Sequence, residues 1–263
     1  MAAATRRAAS CVTGGARACA GVRDGVRMRR RFVLCGGAAA VVASYVLLRS
    51  ASTAPPPPHP PVELFRYGAR AAWDDFDGVA NLAVLDDARL QTRGRAVPID
   101  DVHGGGLLHR GAWLAVARRG SRHEYEYLLL RRGPQLKTCP GAWGLVGEHP
   151  EFGEHWRETA ARALREELGV SAYDVSNLAP NRSFLVKVAY DESDRRDLQA
   201  TTLLRARIRR DQVLAPDEEV AEMRWVSPSE LRKLEFCNAA ITALAHVVAD
   251  LLESAPPPGD VSL

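Results

Sequence analysis

Between positions 148 and 167 the chain carries Glu148, Glu151, Glu154, Glu158, Glu166 and Glu167, with Arg162 among them. They belong to one stretch, GAWGLVGEHPEFGEHWRETAARALREELGV, residues 141–170. Trp156 to Leu168 reads as a helix. At about 100° per residue, Ala160, Ala161, Leu164 and Leu168 form an apolar stripe that packs inward. Position 163, Glu166 and Glu167 fall on the adjacent face, with Glu167 nearest the core. Arg162, Arg165 and Glu158 point towards solvent or the preceding loop. Two neighbouring carboxylates beside an apolar stripe, under a glycine-rich loop, suit a hard divalent cation such as Mg²⁺ or Mn²⁺, which keeps waters that a phosphate can displace. Such a cation polarises a phosphoryl oxygen and orients an attacking water. The competing reading is an ordinary amphipathic helix with solvated glutamates.

The stretch resembles the Nudix box, G-x5-E-x7-R-E-U-x-E-E-x-G-U, where U is aliphatic. Glu154 matches the first Glu, Arg162 the Arg, Leu164 the aliphatic position, Glu166-Glu167 the Glu pair and Gly169-Val170 the ending. Gly141-x-Trp143 precedes the box as in the family, and Glu222 to Val226 followed by Glu230-Leu231 resembles the family's late strand and short helix. The resemblance covers about residues 78–235. It implies a metal-dependent hydrolase of a diphosphate linkage in a nucleoside-diphosphate-like or other organic diphosphate. Glu166 and Glu167 would hold the cation with Glu148 or the carbonyl near Gly147. Arg162 would orient the carboxylates, while Gly147, Gly153, Glu154 and Gly169 would shape the loop and helix. Two positions depart. Glu148 stands where the box opens with Gly, and Ala163 stands where a Glu should follow Arg162, which leaves the site one carboxylate short. A degenerate module that binds a diphosphate without turnover is therefore a second reading.

A narrower resemblance is to the branch related to isopentenyl-diphosphate isomerase. It rests on GGLLHRGAWLAV (105–116), LLLRRG (128–133), Lys137-x2-Pro140-Gly141 and Gly147-x-His149. In that isomerase histidines hold a metal, and His103, His109 and His149 approximate their positions; the blander expectation is that they are loop or core-edge residues. The isomerase also needs a Cys where this chain has Gly147, and a Glu where it has Gln199 in Asp197-Leu198-Gln199. Isomerase-like chemistry is thus a third reading.

Other residues compete for the missing carboxylate. Asp217-Glu218-Glu219 could reach over the site from a loop, or form a solvated acidic turn; Glu222 and Asp197 are further candidates, as is His149 for a ligand role. Trp143 and Trp225 read as core aromatics. Arg131 and Arg132 end a strand facing the box and could contact phosphates.

The elements that must position these groups follow from patterning. Strands are expected near 80–85, 112–118, 125–131, 183–190, 200–208 and 221–226, and a second long helix over Asn238–Leu252. Ser227-Pro228-Ser229-Glu230 opens a short helix by a Ser cap and an early Pro. Strands and helices mix without βαβ alternation, so the expected fold is α+β: a Nudix-type α/β/α sandwich around a mixed sheet.

The domain is expected over 62–255, with a short tail at 256–263. Ahead of it lie a basic leader (1–31), an uncharged run of 17 residues at 32–48, and a Pro-rich linker (49–61) that favours an extended rod. The run is at the short end for a membrane span. With arginines before it, the positive-inside rule predicts a single-pass anchor whose N-terminus stays cytoplasmic; a cleaved organelle-targeting segment is the alternative. The leader carries eight Arg against one acid, so beyond it the chain is −4 although the whole is +3. A mildly acidic body argues against nucleic acid as a partner, and nothing in the sequence sets the oligomeric state. Cys139 and Cys237 are expected as two buried thiols, with a disulfide as the alternative.

Overall fold

The computed structural model describes residues 60–120, 124–171, 173–190 and 193–254. Strand β1 (Val62–Tyr67) leads through a 3₁₀ turn to β2 (Leu82–Asp86) and β3 (Leu90–Val97), then the short helix α1 (Ile99–Gly105). The long antiparallel pair β4 (His109–Arg119) and β5 (Tyr125–Arg132) follows, with the short strands β6 (Trp143–Gly144) and β7 (Val146–Glu148). Helix α2 (Trp156–Leu168) precedes β8 (Asp174–Asn177), β9 (Arg182–Ala189), β10 (Arg196–Arg207) and β11 (Val220–Val226). The short α3 (Pro228–Leu231) and the long α4 (Ala239–Ser254) complete the described chain.

The sheet runs in the order β11-β5-β4-β10-β9-β2. β10 lies parallel to β4, with Gln199 opposite His109 and Arg207 opposite Ala117, while its other partners are antiparallel. The sheet is therefore mixed, as expected. Period-two alternation sorts its side chains between two helices. Leu114 and Val116 of β4, Leu128 and Leu130 of β5, and Leu204 and Ala206 of β10 pack with Ala160, Ala163, Leu164 and Leu168 of α2. Their neighbours Ala115, Ala117, Tyr127, Leu129 and Leu203 pack with Leu244, Ala245, Val248 and Ala249 of α4. One helix layer on each face makes the α/β/α sandwich.

Helix α2 begins and ends where the sequence places it. His155 caps it, accepting from the Arg157 amide through Nδ1 (3.3 Å), while the Glu158 carboxylate accepts from the His155 amide (2.8 Å). It ends at Gly169 in the left-handed conformation (φ 66°), where a Cβ would come within 3.1 Å of Ala215. The inward stripe differs by one residue: Ala163 is wholly buried with it, whereas Ala161 is half-buried.

Two expectations are corrected. Cys139 and Cys237 form a disulfide, with Cα atoms 5.5 Å apart, rather than two thiols; the fold brings the β5–β6 loop against the start of α4. The apolar run 32–48, the leader 1–31 and the tail 256–263 lie outside the described residues. Among the described residues no helix is long and apolar enough to cross a membrane. The longest, α4, has 16 residues, about 24 Å at the usual rise against a core of roughly 30 Å, and its apolar face is spent on the sheet. The single-pass placement and the membrane partner are withdrawn on this finding.

Candidate active site and metal centre

Arg162 is the hub of the box. Its side chain is 12% exposed, and it reaches back over the loop between β7 and α2. Nε and Nη2 donate to the two Glu154 carboxylate oxygens (3.1 and 2.8 Å), and Nη2 also donates to the His149 carbonyl (2.7 Å). Nη1 lies 3.2 Å from Glu148 and 4.0 Å from Glu166, and Nε 3.4 Å from Glu151. Glu154 in turn accepts from the Glu151 amide (2.9 Å) and the Thr159 hydroxyl (3.1 Å), which closes the loop onto the first turns of α2. Burial raises the pKa of Glu154, but the Arg162 hydrogen bonds outweigh it and the net shift is downward. Burial likewise opposes the charge on Arg162, and its pKa still ends raised by Glu154 and Glu148. Arg162 thus points into the loop rather than out to solvent, and Glu154 fixes geometry.

The remaining carboxylates crowd each other. Burial, then the charges of Glu148, Asp217 and Glu219, push the pKa of Glu167 well above the usual carboxylate range. Burial also raises Glu148, with a contribution from Glu166 that Arg162 opposes. The turn that carries the extra acids is fastened to α2: the Asp217 amide donates to the Glu167 carbonyl (3.2 Å), and the Glu219 amide to the Asp217 carboxylate (2.9 Å). The sequence candidates therefore separate. The charges of Asp217 and Glu219 act on Glu167, Glu222 pairs with Arg131 (3.3 Å) on the sheet, and Glu218 offers its backbone carbonyl to Gln135 (2.7 Å). Arg132 is held by Thr138, through its carbonyl (2.9 Å) and hydroxyl (3.1 Å).

A second cluster begins one residue beyond Glu148. His149, with His103 from α1, His109 opening β4 and Asp197 of β10, presents ligand atoms that all lie within 4.8 Å of one another. The three imidazole rings stand 5.1–5.3 Å apart, centroid to centroid. Register builds the cluster: β10 sets Gln199 opposite His109, and β7 runs antiparallel to β4 up to Glu148. The Gln199 side chain occupies the space over Gly111, where a Cβ would be 2.0 Å from it. Its Oε1 accepts from the Thr201 hydroxyl (2.6 Å), and its Nε2 lies 3.1 Å from His149 Nε2.

The donor set fits a metal ion. His109 Nδ1 lies 3.0 Å from the Leu107 carbonyl and donates to it, which leaves Nε2 as the ring atom turned to the cluster. That Nε2 faces Asp197 Oδ1 at 3.5 Å. His109 Nε2, His103 Nε2 and Asp197 Oδ1 are all buried without a hydrogen-bond partner among the described residues, a costly arrangement unless a cation lies between them. Burial and the neighbouring His109 push His103 down to about 3, and burial with His109 and His103 holds His149 well below its usual value, so both rings are neutral, as metal ligation requires. Burial raises Asp197 despite His109 and Arg195. Neutral imidazoles with one carboxylate suit a borderline metal better than Mg²⁺.

Residues 108–246 match the NUDIX domain family, just over half of the chain. The chain belongs to the NUDIX family. Two curated relatives are similar to it, both described as isopentenyl-diphosphate Delta-isomerase. One, from Paenarthrobacter aurescens, is 35% identical over 109 residues, 40% of this chain and 56% of its own length. The other, from Cereibacter sphaeroides, is 31% identical over 144 residues, 53% of this chain and 76% of its own. The chain thus spans little more than half of the first. Among solved structures it is similar to a Nudix hydrolase from M. smegmatis (20% identity, TM-score 0.45, 58% of this chain and 90% of that one). It is also similar to the MutT protein of Methanosarcina mazei (18%, TM-score 0.42, 56% and 96%).

In this NUDIX chain the two clusters share the dipeptide Glu148-His149, whose side chains serve different groups. Sequence reasoning joined His103, His109 and His149 through the family resemblance, with loop or core-edge residues as the preferred expectation, and named Asp197 separately as a candidate carboxylate. It did not name Arg195, which donates to His103 Nδ1 (2.5 Å) and pairs with Asp100 (3.0 Å), or Tyr190, which hydrogen-bonds Asp197. A signal existed: Arg195, Asp197 and Gln199 alternate, so a strand there puts all three on one face.

Proposed function

We propose that the protein is a metal-dependent hydrolase of an organic diphosphate. The observation that supports this reading is that Glu148 and Glu166 flank Arg162 at 3.2 and 4.0 Å, while the charges of Glu148, and of Asp217 and Glu219 from the turn after β10, act on Glu167. A divalent cation there, Mg²⁺ or Mn²⁺, would polarise a phosphoryl oxygen and lower the barrier to attack by water. Glu166 and Glu167, with Glu148, would hold it. Arg162 orients Glu148 and keeps Glu154 clear of the cation. Ala163 lies buried in the apolar layer under α2, so the site does not depend on a carboxylate there, and Asp217 and Glu219 bring further negative charge to bear on Glu167, which favours turnover over a module that only binds. Gly153 and Gly169 let the loop and the end of α2 turn. A substrate panel on the purified protein with Mg²⁺ and Mn²⁺, following phosphate or monophosphate release, tests the reading.

A second reading is isomerase-like, and the His103–His109–His149–Asp197 cluster favours it together with the names of the curated relatives. Against it stand Gly147 and Gln199, which offer neither a thiol nor a carboxyl group for proton transfer to an alkene. Incubation with isopentenyl diphosphate, followed by product analysis, separates the two: hydrolysis releases phosphate, and isomerisation moves a double bond without it.

A further inference from the structure

The Cys139–Cys237 disulfide lies outside both clusters, yet a short run of contacts leads from it to the box. Cys139 sits in the loop from Gly133 to Ala142 that joins β5 to β6, where its backbone is left-handed (φ 51°). Cys237 lies two residues before α4, whose first turn Asn238 caps by accepting from the Ile241 amide (3.0 Å). The bond therefore ties the loop to a helix packed on the sheet. From its other end the same loop grips the acidic turn. The Gly133 amide donates to the Glu219 carbonyl and Gln135 Nε2 to the Glu218 carbonyl, both at 2.7 Å. That turn carries Asp217 and Glu219 and is bonded to the backbone of Glu167 at 3.2 Å.

We propose that this disulfide is a redox-sensitive brace for the box. Oxidised, it holds loop 133–142, and through Gly133 and Gln135 the Asp217–Glu219 turn, against Glu167. Reduced, the turn moves off Glu167 and the box loses affinity for its divalent cation. The proposal rests on the box being the cation site. Cys237 is half-buried and Cys139 buried, so a dithiol reductant reaches Cys237 first. One thiolate of the reductant attacks the Cys237 sulfur, and Cys139 leaves as a thiolate and takes up a proton. The second thiol then closes the reductant's own disulfide and releases Cys237, two electrons having passed to the protein. Arg132 holds Thr138 without involving the disulfide, so on reduction the loop is expected to loosen rather than unfold. The expected weakening is graded, roughly five- to tenfold, the low end of couplings between distinct sites.

Calorimetric titration of the full chain with Mg²⁺, which carboxylates bind and imidazoles do not, measures this directly. It is run on oxidised protein, on dithiol-reduced protein after anaerobic removal of the reductant, and on reoxidised protein. Cys139→Ser/Cys237→Ser is titrated beside them. The proposal expects the reduced and Ser forms to bind more weakly and reoxidation to restore affinity. Gln135→Ala, which keeps the disulfide but cuts one link to the turn, should bind weakly and respond less to reduction. Equal Mg²⁺ affinity in folded oxidised and reduced protein overturns it. Oxidised protein that binds no Mg²⁺, or binds it as well after Glu167→Gln, overturns the reading of the box and the brace with it.

Discussion

Replacing Arg162 with Ala would strip the box of its central donor. The change removes both bonds to Glu154, the pairing with Glu148 and the donor to the His149 carbonyl, at 2.7–3.2 Å. Glu154 is 13% exposed and Glu148 23%, so neither recovers full hydration. Breaking a buried pair by deleting one partner costs about 3–5 kcal/mol; partial exposure, and protonation of the abandoned carboxylates, argue for the lower end, ~3 kcal/mol. For a domain of this size 1 kcal/mol corresponds to roughly 2–4 °C in Tm, so Arg162→Ala should melt roughly 6–12 °C lower. Arg162→Lys keeps the charge without the two-pronged geometry and should fall between. The assay is thermal unfolding of metal-free protein by circular dichroism at neutral pH. Glu154→Gln should cost less in the Arg162→Ala background than in the wild type, because the two residues share one interaction. A melt within 2 °C of wild type, or strictly additive losses, would refute the hub.

Glu167→Gln should abolish Mg²⁺ binding by calorimetry and any diphosphate hydrolysis. In metal-free protein it should also stabilise the fold, with a definite pH dependence. The folded pKa of Glu167 is raised, so wild-type stability falls as pH climbs above the ordinary carboxylate range. The Tm difference, mutant minus wild type, should therefore be near zero at pH 4 and grow positive towards pH 8; a flat difference contradicts the assignment. Ala163→Glu puts a carboxylate into the apolar layer between α2 and the sheet, so it should lower Tm by at least about 5 °C without tightening Mg²⁺ binding. A gain in both would show that this face opens to the site. His109→Ala should remove one equivalent of bound Zn²⁺ or Mn²⁺, measured by elemental analysis after dialysis, and leave Mg²⁺ affinity unchanged.

Helix α2 was legible to its end residues because every local signal agreed: the capping glutamate, the apolar period and the terminal glycine. The two long strand pairs were legible from β-branched and aromatic runs. Strands β1 and β3 were not, since β3 buries only Leu90 and Val97 and exposes the six residues between them, leaving no alternation to read. The box carboxylates were proposed from spacing, but the charges around them could not be. That Asp217 and Glu219, rather than Glu222, act on Glu167 depends on how the turn after β10 folds back to α2, and no local pattern carries that information. The His–Asp cluster had all four members visible in the sequence, the histidines as a set; bringing Asp197 to them required the parallel register of β4 and β10, a contact between residues 90 positions apart. The disulfide hid for the same reason, its partners lying 98 residues apart.

The central claim is that the box cleaves a diphosphate with the help of a divalent cation. The most direct measurement is release of phosphate or monophosphate from a panel of organic diphosphates by the purified protein, with and without Mg²⁺ or Mn²⁺, beside Glu167→Gln. The account predicts cation-dependent release from at least one substrate, lost in the mutant and in chelator. Absence of release from every substrate by folded, cation-loaded protein, or release that persists in Glu167→Gln, would contradict it.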